Sequence, residues 1–434
     1  MLNELKSKIK DKTANIGIIG LGYVGLPLAV EFAKAGFTVT GFDTEEAKIS
    51  HIKKGESYIP DVSSKDVKGL ASSGKLQATS DKKSLNKMDV IIICVPTPLR
   101  KTKEPDISFI LAAAEDINAN LRKGQLIVLE STTYPGTTEE VILPKLGGNG
   151  LKVGKDLYIA FSPERVDPGN AKYKTKDIPK IVGGITDICT ELARFLYSQI
   201  IKEVITVSNT RAAEMVKLLE NTFRAVNIAL INELALACNK MDLDIWEIID
   251  AAKTKPFGFM PFFPGPGLGG HCLPCDPIYL SWKARNHGFE ARLIELAAEI
   301  NSRMPHYIVD KIIDALNEQK KALKGSKVLV IGVTYKKDIN DTRESPALTI
   351  MDSLLEKEAK LQYHDPLVSD FQVDGLKLKS IDLTKENIGS SDCVVILTDH
   401  SNVDYKLIVD SANLIIDTRN VLKEFKGNSK IVKL

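Results

Sequence analysis

Apolar positions along this chain follow two rhythms. In the first 210 or so residues, short apolar runs recur: Asn15 to Gly20, Phe37 to Asp43, Val90 to Val95, Gln125 to Glu130 and Leu157 to Phe161. Runs this short predict buried strands. Between the first two, Val24 to Ala35 sets Leu26, Ala29, Val30, Phe32 and Ala33 at helical spacing and closes at Gly36. Strand, helix and strand make one βαβ unit. Helical segments between several later strands predict a doubly wound parallel sheet.

The rhythm changes near Thr210. From Arg211 to about Lys253 no strand signal remains, and Met215, Leu218, Leu219, Thr222, Val226, Ile228, Leu230 and Ile231 mark a long helix. A helix of this length needs something to cover it, which points to a homodimer or higher homo-oligomer. A segment rich in glycine and proline follows from Pro256 to Pro277, and helices resume from Ile278 to about Leu323. Lys327 to Gly332 opens a second α/β unit, with further strands at Lys360 to Asp365, Cys393 to Leu397 and Leu414 to Asp417. The pattern predicts two Rossmann-like α/β domains joined by a helical middle, with divisions at 1–210, 211–323 and 324–434.

Composition narrows the class. A chain of 434 residues, 44% hydrophobic and 26% charged, reads as a globular protein of two or three domains. A net charge of +2 implies no pull toward nucleic acid or anionic membrane. No apolar run reaches the roughly 20 residues that span a bilayer, and the lysine-rich start has no secretory pattern. Cys94, Cys189, Cys238, Cys272, Cys275 and Cys393 are scattered, which is cytoplasmic usage rather than a disulfide framework.

Two stretches carry candidate chemistry. Gly20-Leu21-Gly22-Tyr23-Val24-Gly25 lies between a predicted strand and helix, as a dinucleotide fingerprint requires. Its glycines serve the tight turn, the approach of pyrophosphate to backbone, and helix–strand packing. Asp43 ends the next strand, where a carboxylate binds the ribose 2′-hydroxyl and favours NAD over NADP. The bland alternative is a Rossmann fold whose glycines serve packing alone. The second stretch is Gly265-Pro266-Gly267-Leu268-Gly269-Gly270-His271-Cys272-Leu273-Pro274-Cys275-Asp276. It presents a thiol at the end of a loop that backbone or ligand can approach closely. Cys272 and Cys275 also have C-x-x-C spacing, but no second pair completes a zinc site and no metal is expected. A buried structural cysteine is the bland reading of Cys272, and Cys275 fits that reading.

Other candidates are weaker alone. Lys217 and Asn221, four apart, share a helix face, and spacing alone favours a solvated pair. Glu164 follows a strand and Pro163, where a loop carboxylate can face a cleft or simply sit in a surface turn. Lys336 to Pro346, with Lys336 and Arg343, can hold a diphosphate or reach across a domain interface, with a solvated charge run as the default alternative.

Taken together these pieces resemble the UDP-glucose/GDP-mannose dehydrogenase family of nucleotide-sugar 6-dehydrogenases. The carrying residues are Gly20 to Gly25, Val95-Pro96-Thr97-Pro98, Glu130-Ser131-Thr132, Ser162-Pro163-Glu164-Arg165, Lys217 to Asn221, Gly269-Gly270-His271-Cys272 with Asp276, Lys336-Lys337-Asp338 and Thr342-Arg343-Glu344. They run in family order over nearly the whole chain. The resemblance implies an N-terminal NAD domain, a central helical dimerisation domain and a C-terminal domain for the UDP part. It implies a four-electron oxidation of the sugar C6 alcohol to a carboxylate, consuming two NAD.

Cys272 matches the family nucleophile, passing through a thiohemiacetal and a thioester. Lys217 and Asn221 would stabilise the oxyanion, Asp276 would position water and the lysine, and Glu164 would be the base for hydrolysis. A nearby cation such as Lys217 would lower the thiol pKa from roughly 8.5; His271 would add to this or fill a turn. Thr132 would join the catalytic set by helping to hold a water or the nicotinamide side. Cofactor contacts carry over to Gly20, Gly22, Tyr23, Val24, Gly25, Asp43, Pro96, Thr97, Thr132 and Arg343. Substrate contacts carry over to Glu164, Arg165, Lys217, Asn221, Gly269, Gly270 and Lys336.

The third motif, Ser162 to Asn170, with Glu130 to Gly136, looks like the branch acting on UDP-N-acetylhexosamines. The segment from Cys272 to Arg285 looks closer to the UDP-N-acetylglucosamine enzymes, with UDP-N-acetylmannosamine and UDP-glucose as alternatives. Two other classes compete: a two-electron dehydrogenase with a structural cysteine, and a non-catalytic NAD-sensing Rossmann protein.

Overall fold

A computed structural model describes every residue except 101, 148–149, 167–174, 271, 374 and 426–428. His271 and the Asp167 to Asn170 end of the third motif therefore lie outside the described residues. The chain falls into two compact units, Met1–Glu220 with Tyr279–Phe289, and Asn221–Ile278 with Glu290–Leu434.

In the first unit an eight-stranded sheet runs in the order β3-β2-β1-β4-β5-β6-β7-β8. The strands are β1 (Asn15–Ile19), β2 (Thr38–Phe42), β3 (Leu76–Thr79), β4 (Val90–Ile93), β5 (Leu126–Leu129), β6 (Tyr158–Phe161), β7 (Lys180–Gly184) and β8 (Val204–Thr206). Pairing is parallel except between β6 and β7. β4, β5 and β6 are buried at every position. That is why they read as unbroken apolar runs: helices cover both faces of a parallel sheet. The helix Gly25–Lys34 buries Leu26, Leu28, Ala29, Val30, Phe32 and Ala33. The strand order reverses direction beside β1 and β4, the place where an open α/β sheet leaves a crevice.

The second unit carries a parallel sheet, β10-β9-β13-β14-β15, and a two-stranded antiparallel hairpin. Its strands are β9 (Lys327–Ile331), β10 (Lys360–His364), β11 (Asp370–Val373), β12 (Leu376–Lys379), β13 (Cys393–Ile396), β14 (Leu414–Asp417) and β15 (Lys430–Lys433). Among the described residues, no helix is long and apolar enough to cross a membrane.

The expected doubly wound α/β architecture is present, with some elements beyond the apolar pattern. β3, β7, β8, β11, β12 and β15 are short or carry polar residues, so they gave no run to detect. The helical stretch from Arg211 to Lys253 is two helices, Thr210–Lys240 and Ile245–Ala252. The break comes at Asp242, whose φ of 55° is left-handed, and Asp244, whose carboxylate caps the second helix by accepting from the Trp246 amide at 2.8 Å. The Gly/Pro-rich segment also ends earlier than Pro277, because the helix Asp276–Asn286 begins before it. Proline is tolerated there, since first-turn amides have no partner within the helix.

Candidate active site

The fingerprint loop lies at the end of β1. Gly20 has a φ of 91°, and a Cβ there would sit 2.5 Å from the Cys94 carbonyl oxygen. A Cβ on Gly25 would lie 1.8 Å from the Gly20 carbonyl oxygen. Both glycines are demanded by the protein's own packing. Gly22 is different: a Cβ there meets nothing within 4 Å. The fold does not need that glycine, but a pyrophosphate resting on the loop would. Asp43 Oδ2 accepts from the Leu21 amide at 2.8 Å and Oδ1 from the Glu45 amide at 3.0 Å. The carboxylate is thus held against the loop, as a ribose ligand should be. These residues fit a dinucleotide.

Tyr23 and Val24 are half-buried in the same turn, and Pro96 is exposed beside buried Thr97. Tyr279 Oη donates to the carbonyl oxygens of Thr97 at 3.0 Å and Pro98 at 3.2 Å, fixing the loop after β4. Thr132 is half-buried just past β5. The Glu130 and Ser131 amides before it both donate to the Ile93 carbonyl, which kinks the chain there.

Glu164 follows β6 in the same unit. Its Oε1 accepts the Arg165 and Val166 amides at 2.7 Å each. Its Oε2 accepts from Lys180 Nζ at 3.0 Å. Burial opposes its charge, but Lys180, the Val166 amide and the field of Lys217 prevail and hold the carboxyl below its usual range. Lys180 also donates to Glu130 Oε2 at 2.8 Å, and Tyr197 Oη donates to Glu130 Oε1. Arg165 forks onto Glu220 through Nε at 3.2 Å and Nη2 at 2.6 Å. Lys217 is buried on the helix Thr210–Lys240, one turn before Asn221. Glu214, one turn earlier and fully buried, accepts the amides of Gly136 at 2.5 Å and Thr138 at 2.9 Å.

The cysteine loop belongs to the second unit. The Cys272 carbonyl accepts the Cys275 and Asp276 amides at 3.0 and 2.8 Å. The thiol residue therefore stands one turn ahead of a helix start, where the helix field favours an anion. Cys272 is half-buried. Cys275 is buried, and its thiol is pushed up to about 12, chiefly by burial, which suits a structural role. Asn221 Nδ2 donates to buried Asp276 Oδ2 at 2.5 Å. The glycines before the cysteine are packed tightly: a Cβ on Gly269 would meet Tyr335 at 2.6 Å, and one on Gly270 would meet the Tyr335 ring at 2.8 Å. Gly270 N donates to the Arg343 carbonyl at 3.2 Å. The Arg343 side chain is exposed and forks onto Asp341, at 2.9 Å through Nε and 2.6 Å through Nη2. Lys336 is half-buried next to Tyr335.

The candidates thus gather into two groups. Glu164, Arg165 and Lys217 share the first unit with the fingerprint; Cys272, Asn221, Asp276, Gly269, Gly270, Lys336 and Arg343 share the second. Sequence reasoning assigned no role to Lys180, Tyr197, Glu214 or Arg419. Arg419 Nε donates to the Leu397 carbonyl at 2.8 Å, and its Nη1 lies 2.7 Å from where a Gly265 Cβ would be. A signal existed for Glu130, an acid closing an apolar run. Lys180 opens an unrecognised strand and gave none.

Three family models match this chain. The NAD binding domain of the UDP-glucose/GDP-mannose dehydrogenase family covers residues 14–201, its central domain 211–303 and its UDP binding domain 329–424. A UDP-N-acetyl-D-glucosamine 6-dehydrogenase of Pseudomonas aeruginosa is 38% identical over 82% of this chain and 84% of its own. A UDP-N-acetyl-D-mannosamine dehydrogenase of Methanococcus vannielii is 36% identical over 95% of this chain and 94% of its own. The solved structure of a UDP-D-ManNAc dehydrogenase from Pyrococcus horikoshii has a TM-score of 0.87 at 34% identity, covering 96% of this chain and 98% of that one.

Proposed function

The chain belongs to the UDP-glucose/GDP-mannose dehydrogenase family, and from that premise we propose that it oxidises C6 of a UDP-N-acetylhexosamine to the carboxylate. It is an NAD-dependent nucleotide-sugar dehydrogenase. Our preferred substrate is UDP-N-acetylglucosamine, giving UDP-N-acetylglucosaminuronate. UDP-N-acetylmannosamine is the second reading, favoured by the name of the Pyrococcus horikoshii neighbour. We assign 1–210 to NAD, 211–323 to the helical middle with the cysteine loop and 324–434 to the UDP part.

The observation that carries the reading is the placement of Cys272. A half-buried thiol stands ahead of a helix start, on a glycine loop, beside the Asn221–Asp276 pair. Bound NAD supplies the hydride acceptor for both oxidations. The Cys272 thiolate would add to the C6 aldehyde to give a thiohemiacetal alkoxide, and that alkoxide would become a thioester by giving up hydride alone. Lys217 and Asn221 donate toward the developing oxyanion, and Asp276 orients the asparagine amide. Glu164 takes a proton from the hydrolytic water. Arg165, Gly269, Gly270 and Lys336 hold the nucleotide sugar, and Arg419 adds a cation near Gly265 suited to a diphosphate.

A homodimer fits the helix Thr210–Lys240, which leaves Leu219, Phe223, Leu230 and Leu234 exposed. Leu219, Phe223, Leu230 and Leu234 lie at helical spacings along one stripe. The cysteines carry no disulfide, in keeping with work in the cytoplasm.

The deciding experiment counts NADH per mole of substrate, with UDP-N-acetylglucosamine, UDP-N-acetylmannosamine and UDP-glucose supplied separately. Two NADH from one preferred sugar supports the reading and names the substrate. One NADH would reduce the chemistry to a two-electron oxidation. Cys272→Ala should abolish acid formation and leave NAD binding intact; full turnover by that variant would remove the cysteine from the mechanism.

A further inference from the structure

Two carboxylates compete for one buried lysine beside the fingerprint sheet. Lys180 opens β7 and is 5% exposed, while Glu130, just past β5, is 1% exposed. One ammonium donates to Glu130 Oε2 at 2.8 Å and to Glu164 Oε2 at 3.0 Å. Tyr197, from the helix Asp187–Tyr197, donates to the other Glu130 oxygen. Glu164 also feels the charge of Lys217, and Cys94, just past β4, feels Glu130, Lys180 and Glu164. Arg165 in the Glu164 loop is turned onto Glu220.

The lone pairs fix where a proton can land. Glu164 Oε1 already accepts two amides, which uses both of its lone pairs. Oε2 accepts only Lys180 among the described donors. A lysine devoted to Glu164 alone would hold it as an anion too stable to act as a base. Sharing that lysine with Glu130 weakens its hold.

We propose that Lys180 and Glu130 are positioning residues that together set how readily Glu164 Oε2 takes a proton, Lys180 restraining it and Glu130 releasing it. This rests on the reading of Glu164 as the hydrolytic base. In that step the water oxygen bonds to the thioester carbon, and one water proton moves to Oε2. The C–S bond then breaks and sulfur leaves as the Cys272 thiolate, with no change in oxidation state. Protonated Glu164 leaves a Glu130–Lys180 pair behind, so the buried cation keeps a partner throughout.

The two residues should act in opposite directions, which damage to the fold would not produce. In protein labelled with 13C at the glutamate side-chain carboxyl carbon, the Glu164 resonance is identified by its loss in Glu164→Gln. Its titration midpoint should rise by about one pH unit or more in Lys180→Met and fall in Glu130→Gln. Lys180→Arg should restore it toward the parent value. Equal midpoints in parent, Lys180→Met and Glu130→Gln would overturn the proposal. If Lys180→Met does not fold, Glu130→Gln, close in shape to the parent, decides alone: an unchanged or raised midpoint overturns the proposal. The reading beneath it fails separately, if Glu164→Gln still releases acid at the parent rate.

Discussion

The same backbone device appears once in each of the two larger sheets and serves two ends. In the first unit Gly20 N donates to the Phe42 carbonyl at 2.8 Å, and Leu21 N donates to Asp43 at 2.8 Å. In the second, Gly332 N donates to the His364 carbonyl at 2.9 Å, and Val333 N donates to Asp365 at 2.8 Å. Each glycine has a positive φ, and each would drive a Cβ to 2.5 Å from a neighbouring carbonyl oxygen. The difference lies in what comes next. Gly22 leaves open space after the first turn. After the second, the fully buried ring of His400 packs against the turn. Its Nε2 lies 3.1 Å from Thr334 Oγ1 and 3.2 Å from Asp365 Oδ2, and its Nδ1 accepts the Asp338 amide at 3.0 Å. Asp365 also accepts the Leu367 and Val368 amides, at 2.8 and 3.1 Å. A carboxylate so occupied has nothing left for a ribose. Strand, turn and acid make the frame; the side chains beyond the turn decide whether a dinucleotide can enter.

The largest expected break of this comparison is at Gly22. The Cβ of Gly22→Ala enters space the protein itself leaves open. The substitution should change stability by no more than about 0.5 kcal/mol, since its Cβ meets no neighbour within 4 Å, while a pyrophosphate that needs backbone contact is displaced. NAD titration followed by fluorescence should show at least about a hundredfold loss, close to 3 kcal/mol. Gly332→Ala should do the reverse, lowering stability by about 1–3 kcal/mol through strain at a positive φ without a change in NAD affinity. Parent-like NAD binding by Gly22→Ala would take the ligand away from that loop.

The frame was legible in the sequence because each part leaves a mark. β1, β4, β5, β6, β9, β13 and β14 are buried along most of their length, so they appear as apolar runs. Gly20, Gly22, Gly25 and Asp43 stand at fixed offsets, and Gly265 to Cys272 stands out by composition. Buried polar contacts between distant segments left no such mark. Lys180 meets Glu130 across 50 residues and His400 meets Asp365 across 35, and no local pattern encodes either. The hairpin strands β11 and β12 do alternate polar and apolar residues, but over only four positions each and largely exposed, too short a stretch to stand out as a strand. Glu214 lay inside a helical run, where an acid ordinarily reads as surface.

A medium effect separates the two acids themselves. Asp43→Ala should weaken NAD binding about tenfold to a hundredfold, as hydrogen bonds to a charged group are worth roughly 1.5–3 kcal/mol. It should also narrow the preference over NADP, because the carboxylate that repels a 2′-phosphate is gone. Asp365→Asn should leave both affinities at parent values while costing about 1–3 kcal/mol of stability, since one of its accepting oxygens becomes a donor facing amides. Paired titrations with NAD and NADP check this. An unchanged cofactor preference in Asp43→Ala would remove Asp43 from the ribose site.

The smallest effect concerns sign. Burial pushes Glu214 up to about 7, above the roughly 4.3 expected in the unfolded chain. Its uncharged form therefore contributes stability that is complete below about 4.3 and is lost as pH rises through about 7. Burial also opposes the charge of Asp365, but His400 and the amides of Val333 and Leu367 prevail and hold it below its usual range. Its contribution is present above roughly 3.9 and is lost as pH falls below that value. Glu214 pins Gly136 and Thr138 in the first unit, and Asp365 pins Val333 in the second. Amide exchange at Thr138 should thus quicken, relative to the intrinsic rate, from about pH 5 to 7, whereas exchange at Val333 should hold steady there and quicken only on acidification. Glu214→Gln should flatten the first trend and leave the second alone. Parallel trends at both amides would mean that the two carboxylates do not differ in the way their surroundings imply.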